Sequence, residues 1–215
     1  MIVRFIRHGQ SMCNLYHITG EGSPDVCDGP GGGNSHLSET GIEQAKELNE
    51  SMRTDKGTGV YESDHNGVIE YSVRMANAFL QFKVTTSATN TKLSVTNDTK
   101  ILVSTMNRAI ETAKYAFEGF GNCKFEYTKL LEEVVAGDNY AKRYKDYLKL
   151  ARQIKNMETE GINAVVLVCH HNTIRYMICA LSTVYGSRYP NIHFNVSNAS
   201  FVDMQFFEHR KTENW

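Results

Sequence analysis

The chain has 215 residues, 41% hydrophobic and 22% charged, which is enough for one sizeable α/β domain with a full core. A net charge of −1 excludes a generic polyanion binder, so no nucleic-acid partner is expected and any affinity for phosphate must be local. No apolar run approaches membrane-spanning length and no basic leader precedes an apolar segment, so a cytoplasmic protein without a membrane partner is expected.

Ile2, Val3, Phe5 and Ile6 form a short apolar run of the kind that makes a buried parallel strand, and it stops at Arg7-His8-Gly9. In open α/β sheets ligands bind at the carboxyl ends of strands, so a strand that delivers a cation and an imidazole there marks a candidate site. Gly9 allows a sharp turn and close backbone approach, and Gln10, Ser11 and Asn14 offer polar groups beyond it. On the tripeptide alone, a hydrogen-bonded structural histidine is the commoner reading; partners elsewhere must decide.

The glycine-rich stretch Gly20 to Gly33 lacks the Gly-Lys-Ser/Thr ending of a phosphate loop and reads as a mobile loop near the site entrance. Ser38 is the expected N-cap of an amphipathic helix with Ile42, Ala45, Leu48 and Met52 on one face. Asp55 to Asn66 is turn-like, Val68 to Val84 fits helix and strand equally, and Thr85 to Thr99 reads as a loop or edge hairpin. Residues 54–99 are therefore expected to be an insertion in a single domain spanning 1–215.

Lys100 to Ser104 predicts a second buried strand and Met106 to Ala113 the start of a helix, with Arg108 in its first turn. A cation there opposes the helix dipole, and a bound anion explains it better than helix stability does; a solvated surface arginine is the alternative. Phe125 to Leu131 predicts a third strand ended by Glu132-Glu133, and Tyr140 to Met157 a helix with Tyr144, Tyr147, Leu148 and Ile154 inward. Ala164 to Val168 is the strongest strand, delivering Cys169-His170-His171-Asn172 to a helix over Thr173 to Tyr185. Ile192 to Val196 and Phe201 to Phe207 predict two closing strands.

The five cysteines, Cys13, Cys27, Cys123, Cys169 and Cys179, form an odd, widely spaced set without a C-x-x-C pair, so neither a disulfide framework nor a zinc site is expected. Cys13 and Cys169, beside candidate catalytic residues, read as buried inert thiols, with oxidation sensitivity as the alternative.

Arg7, His8, Glu133 and His170 thus fall at strand ends and Arg108 opens a helix after another strand, so the five should converge along one sheet edge. Two arginines can grip non-bridging phosphoryl oxygens, and surrounding cations push an imidazole toward its neutral, nucleophilic form. His8 is the expected nucleophile, with its second nitrogen donating to an acceptor such as a backbone carbonyl. Arg7, Arg108 and His170 stabilise charge on the transferring group. Glu133 serves as acid and then base, and no metal or cofactor is required.

Arg7-His8-Gly9-Gln10-Ser11 with Asn14, the segment Leu37 to Ala45, Ser104 to Ala113, Leu131 to Gly137, Val168 to Arg175 and Asn198-Ala199-Ser200 together resemble the histidine phosphatase superfamily, which includes the cofactor-dependent phosphoglycerate mutases. The resemblance covers most of the chain outside residues 54–99. It implies a three-layer α/β sandwich around a mostly parallel sheet, phosphorylation of His8, phosphoryl binding by Arg7, Arg108 and His170, and proton donation by Glu133, chosen over Glu132 by its spacing to Gly137. Gly9, Gln10, Ser11, Asn14, His171 and Asn172 are the expected substrate-binding residues. His171 stands where glycine is usual, Cys169 where serine is, and the usual acidic residue shortly before Leu37 is absent.

Glu133 to His170 holds little more than one helix and one strand, without the long insertion of the mutases, which favours hydrolysis over intramolecular transfer. A mutase and a non-catalytic binder of phosphorylated ligands or proteins remain alternatives. The expected substrate is a phosphorylated small molecule or phosphoprotein, and neither its identity nor the oligomeric state is readable.

Overall fold

The computed structural model describes residues 1–27, 33–54, 68–75, 78–85, 99–121, 123–133, 140–186 and 196–209. In chain order they form β1 (Ile2–Arg7), α1 (Met12–Thr19), a 3-10 turn (Pro24–Cys27), α2 (Glu39–Thr54), β2 (Val68–Met75), β3 (Ala78–Thr85), β4 (Thr99–Ser104) and α3 (Asn107–Ala116). There follow β5 (Phe125–Thr128), a 3-10 turn (Lys129–Leu131), α4 (Tyr140–Thr159), β6 (Ala164–Cys169), α5 (His171–Val184) and β7 (Phe201–His209). No helix among the described residues is long and apolar enough to cross a membrane.

The strands make one sheet in the order β2-β3-β7-β1-β6-β4-β5. Pairing is parallel from β1 through β6 and β4 to β5, and antiparallel where β7 meets β1, β3 meets β7 and β2 meets β3. Alternation along the strands sorts the core into two layers. Val3, Phe5, Leu102, Val165 and Leu167 face α4 and α5 through Leu150, Ile154, Ile174 and Met177. Ile6, Ile101, Val103, Val166 and Val168 face α2 and α3 through Leu48, Met52, Ala109 and Ala113. The expected three-layer α/β sandwich is the observed architecture, with parallel pairing concentrated where the candidate residues lie.

Arg4 interrupts the apolar run of β1 without exposing the strand. It lies opposite Asp203 of β7, gives it two hydrogen bonds of 2.7 Å, and stacks its guanidinium 4.0 Å above the Phe201 ring. A fork of two charge-assisted bonds satisfies both ions, so the buried pair is tolerated.

The ambiguous segment Val68 to Val84 is strand: β2 and β3 pair with Met75 opposite Ala78, and β3 continues the sheet onto β7. The alternation of Ile69, Tyr71, Val73 and Met75 with Glu70, Ser72 and Arg74, and of Leu80, Phe82 and Val84 with Gln81, Lys83 and Thr85, was the period-2 signal that marks both as strands. Phe125 to Leu131 splits into β5 and a 3-10 turn. A helix not anticipated, α1, precedes the glycine-rich stretch; Ser11 caps it and Gly20, at φ 71°, ends it with its N–H on Tyr16 O. The expectations for residues 28–32, 55–66, 86–98, 134–137 and 192–195 lie outside the described residues.

The cysteine expectation is corrected at one pair. Cys13 and Cys27 form a disulfide, with Cα atoms 4.9 Å apart. Spacing along the chain concealed it: the turn at Pro24–Cys27 folds back onto α1, so a separation of 14 residues closes in space. Cys123, Cys169 and Cys179 are not in disulfides.

Candidate active site

β1, β6 and β4 lie side by side and parallel, so their carboxyl ends share one edge, and each delivers a polar residue there. Arg7 is opposite Cys169 in the β1–β6 register, which brings His8 and His170, the next residues along each strand, into one layer. Their rings lie 5.1 Å apart, tilted by 59°, and both are buried. The His8 N–H donates to Cys169 O at 3.0 Å, joining the two strand ends directly.

The His8 backbone turns sharply because Gly9 and Gly41 permit it. A Cβ on Gly9 would fall 2.5 Å from Gly41 O, and one on Gly41 would fall 2.0 Å from Gln10 O. The turn brings Gly9 O to 2.7 Å from His8 Nδ1. A carbonyl can only accept, so Nδ1 carries the proton and Nε2 keeps its lone pair, the tautomer expected of a nucleophile. Burial first, then Arg108 and Arg7, hold the His8 pKa well below its ordinary value, so the ring is neutral at neutral pH.

Arg108, nearly inaccessible, sits in the first turn of α3. Its Nε is 3.3 Å from His8 Nε2, one terminal nitrogen donates to Gly33 O at 2.9 Å, and the other to Glu133 Oε2 at 2.9 Å. Burial lowers its pKa and Glu133 opposes the shift. Arg7 donates to Val196 O at 2.5 Å, while its buried Nε has no hydrogen-bond partner among the described residues. Burial, reinforced by Arg108 and opposed by Glu133, lowers the Arg7 pKa as well.

His170 differs from His8 in what it touches. Its Nε2 is 2.9 Å from Ser104 Oγ, its Nδ1 is 3.7 Å from Glu133 Oε2, and that Nδ1 has no hydrogen-bond partner among the described residues. The Glu133 carboxylate beside Nδ1 is an acceptor and favours the ring proton on that nitrogen, with Ser104 Oγ, which accepts the Met106 N–H at 3.4 Å, donating to Nε2. Burial, His8, Arg108 and Arg7 keep this ring neutral too. A neutral His170 therefore still presents an N–H beside Glu133.

Glu133 joins this cluster while Glu132 turns away to Thr105 and, at 3.7 Å, to Arg143. His171, half-buried, has Nδ1 3.5 Å from the Val196 N–H, and burial and Arg7 lower its pKa. Asn172 follows it, half-buried, in the first turn of α5. The side chains of Gln10, Ser11 and Asn14 make bonds within the scaffold: Gln10 Oε1 accepts from Ser38 Oγ at 2.8 Å, and Ser11 and Asn14 form the capping box of α1. Burial pushes the Cys169 thiol far up in pKa and holds it as an inert apolar filler.

His8, Glu133 and His170 offer ligand atoms within 4.8 Å of one another, a spacing a metal ion could use. Arg108, however, already faces the Nε2 lone pair of His8 and an oxygen of Glu133, and a second cation there meets direct repulsion. The donor set suits an anion better.

Several residues that organise the site went unread in the sequence. Thr112 Oγ1 accepts the Gly9 N–H at 3.0 Å and donates to Arg108 O at 2.6 Å, tying the His8 turn to the arginine helix. Its spacing of four from Arg108 was the available signal. Asn34 accepts the Asn107 N–H at 2.6 Å, and Glu111 accepts the Leu37 N–H at 2.8 Å and pairs with His36. Ala199, at φ 47°, donates its N–H to His8 O at 3.1 Å.

No family model and no curated protein matches the sequence. Solved structures do match in fold. A mycobacterial glucosyl-3-phosphoglycerate phosphatase in complex with VO3 is 16% identical with a TM-score of 0.54, over 97% of this chain and 96% of that one. The alpha-ribazole phosphatase of Shigella flexneri is 13% identical with a TM-score of 0.55, over 94% and 89%. A mutant phosphoserine phosphatase from Entamoeba histolytica in complex with phosphoserine is 14% identical with a TM-score of 0.51, again over 94% and 89%. The chain therefore has the phosphoglycerate mutase-like α/β fold of the histidine phosphatases, and the resemblance read from its motifs holds at the level of fold.

Proposed function

We propose that this chain is a histidine phosphatase that hydrolyses phosphate monoesters of small molecules through a phosphohistidine on His8. The observation that carries the reading is the His8 ring itself: a neutral imidazole with Nδ1–H fixed on Gly9 O and Nε2 turned into a buried cluster of Arg7, Arg108, His170 and Glu133. The three fold relatives are a glucosyl-3-phosphoglycerate phosphatase, an alpha-ribazole phosphatase and a phosphoserine phosphatase, which favours a small-molecule substrate over a phosphoprotein.

In the first step His8 Nε2 attacks phosphorus while the bond to the ester oxygen breaks, and Glu133 gives its proton to the departing alkoxide. Arg108, Arg7 and the His170 Nδ1–H neutralise the three non-bridging oxygens as charge spreads over them. In the second step Glu133 takes a proton from water, the resulting hydroxide attacks phosphorus, and the N–P bond breaks, returning neutral His8 and inorganic phosphate. Gly9, Gln10, Ser11, Asn14, His171 and Asn172 are assigned to the surround of the substrate in this reading, with Gln10, Asn14, His171 and Asn172 half-buried.

The test is hydrolysis of p-nitrophenyl phosphate in EDTA by the wild type, His8→Ala and Glu133→Gln. Turnover by the wild type, its abolition in His8→Ala and an acid-labile phosphoryl label that accumulates in Glu133→Gln are expected. A label on another residue, or equal turnover by His8→Ala, would sink the assignment.

A further inference from the structure

Cys13 and His17 stand four residues apart on α1, hence on one face of the helix, and Cys27 reaches the same face from the Pro24–Cys27 turn. The two sulfurs and an imidazole nitrogen lie within 4.8 Å of one another. None of the three belongs to the phosphoryl site, and among the described residues the contact of the His17 ring is with the neighbouring Tyr16 ring, 5.9 Å away.

We propose that reduction of the Cys13–Cys27 disulfide converts this corner into a binding site for a thiophilic divalent cation of the zinc class, with Cys13, His17 and Cys27 as ligands. Disulfide and metal are mutually exclusive occupants of the same two sulfurs. Two soft thiolates and one imidazole match the ligand preference of such an ion, and the thiolates cancel its charge. Cys13 is buried, Cys27 half-buried and His17 exposed, so the ion is anchored from below and water completes the fourth position from the solvent side.

Tetrahedral ligation at Zn–S distances of about 2.3 Å holds two sulfurs about 3.8 Å apart. Rotation about the cysteine side chains on Cα atoms 4.9 Å apart reaches that separation. The exchange balances. A dithiol reductant gives two electrons and two protons to the S–S bond and leaves as its own disulfide; the two thiols then release two protons as the cation binds. In either state the Pro24–Cys27 turn stays fastened to α1 two residues beyond Ser11.

The experiment titrates Co²⁺ into the full chain under anaerobic conditions, before and after treatment with a phosphine reductant that is itself removed. Reduced protein should take up one equivalent with a thiolate-to-cobalt charge-transfer band and the strong visible bands of a tetrahedral site, both erased by Zn²⁺; untreated protein should show neither. Cys27→Ser should lose the charge-transfer intensity. His17→Ala, an exposed substitution that does not threaten folding, should weaken Co²⁺ by about tenfold or more, a loss that even an outer-shell partner of a metal can cause. Cys123→Ser serves as the control and should bind as the wild type does. A silent reduced wild type, a band that persists in Cys27→Ser, or unchanged affinity in His17→Ala would each overturn the site.

Discussion

The chain builds the same local unit twice, a buried strand, a histidine and a helix, and the two copies lie side by side in the sheet. Their histidines leave β1 and β6 in register but meet their helices at different distances. After His8 there are three residues before α1 begins, and Gly9 uses them to fold its carbonyl onto Nδ1. His170 is itself the N-cap of α5, with no room for that return, so its ring takes a side-chain partner from the neighbouring strand, Ser104. An offset of a few residues thus gives opposite ring nitrogens to the two scaffolds. One imidazole exposes a lone pair to the site and the other an N–H.

The largest expected effect breaks this asymmetry outright. His8→Ala should reduce turnover by about 10⁴-fold or more and abolish the phosphoryl label, because no other group supplies the lone pair. His170→Ala should cost about 10²–10³-fold, the usual cost of removing one transition-state donor, and should still label His8. Rapid-quench kinetics with labelled substrate separates the two outcomes. A wild-type label on His170 would reverse the assignment.

Stability should register what the two rings have in common. Both are buried and neutral, with pKa values well below the ordinary 6.5, whereas the unfolded chain protonates them near that value. Below pH 6.5 the unfolded state therefore binds more protons, so stability is complete above about pH 7 and falls as the pH drops. Two such groups should cost about 2–3 kcal/mol between pH 7.5 and 5.5. Urea denaturation at both values measures it, and His170→Asn should roughly halve the dependence.

Ser104→Ala sharpens the comparison more gently. The alanine leaves His170 Nε2 without its proton donor, so the ring no longer holds its proton on Nδ1 by default. A fall in kcat of about tenfold with little change in KM is expected, in the range found for outer-shell positioning groups. Ser104→Thr, which restores the hydroxyl, should recover most of it.

The five convergent residues were legible because each is announced locally: a strand ends, and a charged or titratable residue stands where the next turn must begin. A parallel sheet puts such strand ends along one edge, but the order in which β1, β6 and β4 stand side by side depends on pairing across the sheet and was not readable. Thr112, Ser104 and the Cys13–Cys27 disulfide were not legible, for their roles depend on what lies across from them rather than on neighbours in sequence. The antiparallel pair β2 and β3 was ambiguous for a related reason: its strands find their partners in each other and in β7. Its apolar residues alternate strand by strand, but only the pairing of β2 with β3 and of β3 with β7 gives that alternation a sheet to belong to.

The smallest effect concerns the backbone behind His8. Ala199 holds φ at 47°, a left-handed conformation that costs a residue with a Cβ about 1–2 kcal/mol, and in that conformation its N–H reaches His8 O. The strain is the geometric consequence of bringing the segment before β7 close enough to bond both Arg7 N–H, through Ser200 O, and His8 O. Ala199→Gly relieves it but adds about 0.5–1 kcal/mol of unfolded-chain freedom, so a net stabilisation of about 0.5 kcal/mol is expected. If the bond to His8 O also helps aim the imidazole, the more stable variant should turn over no faster than the wild type. Paired melts and kcat values decide it, and a loss of stability would show that the φ at position 199 carries no strain.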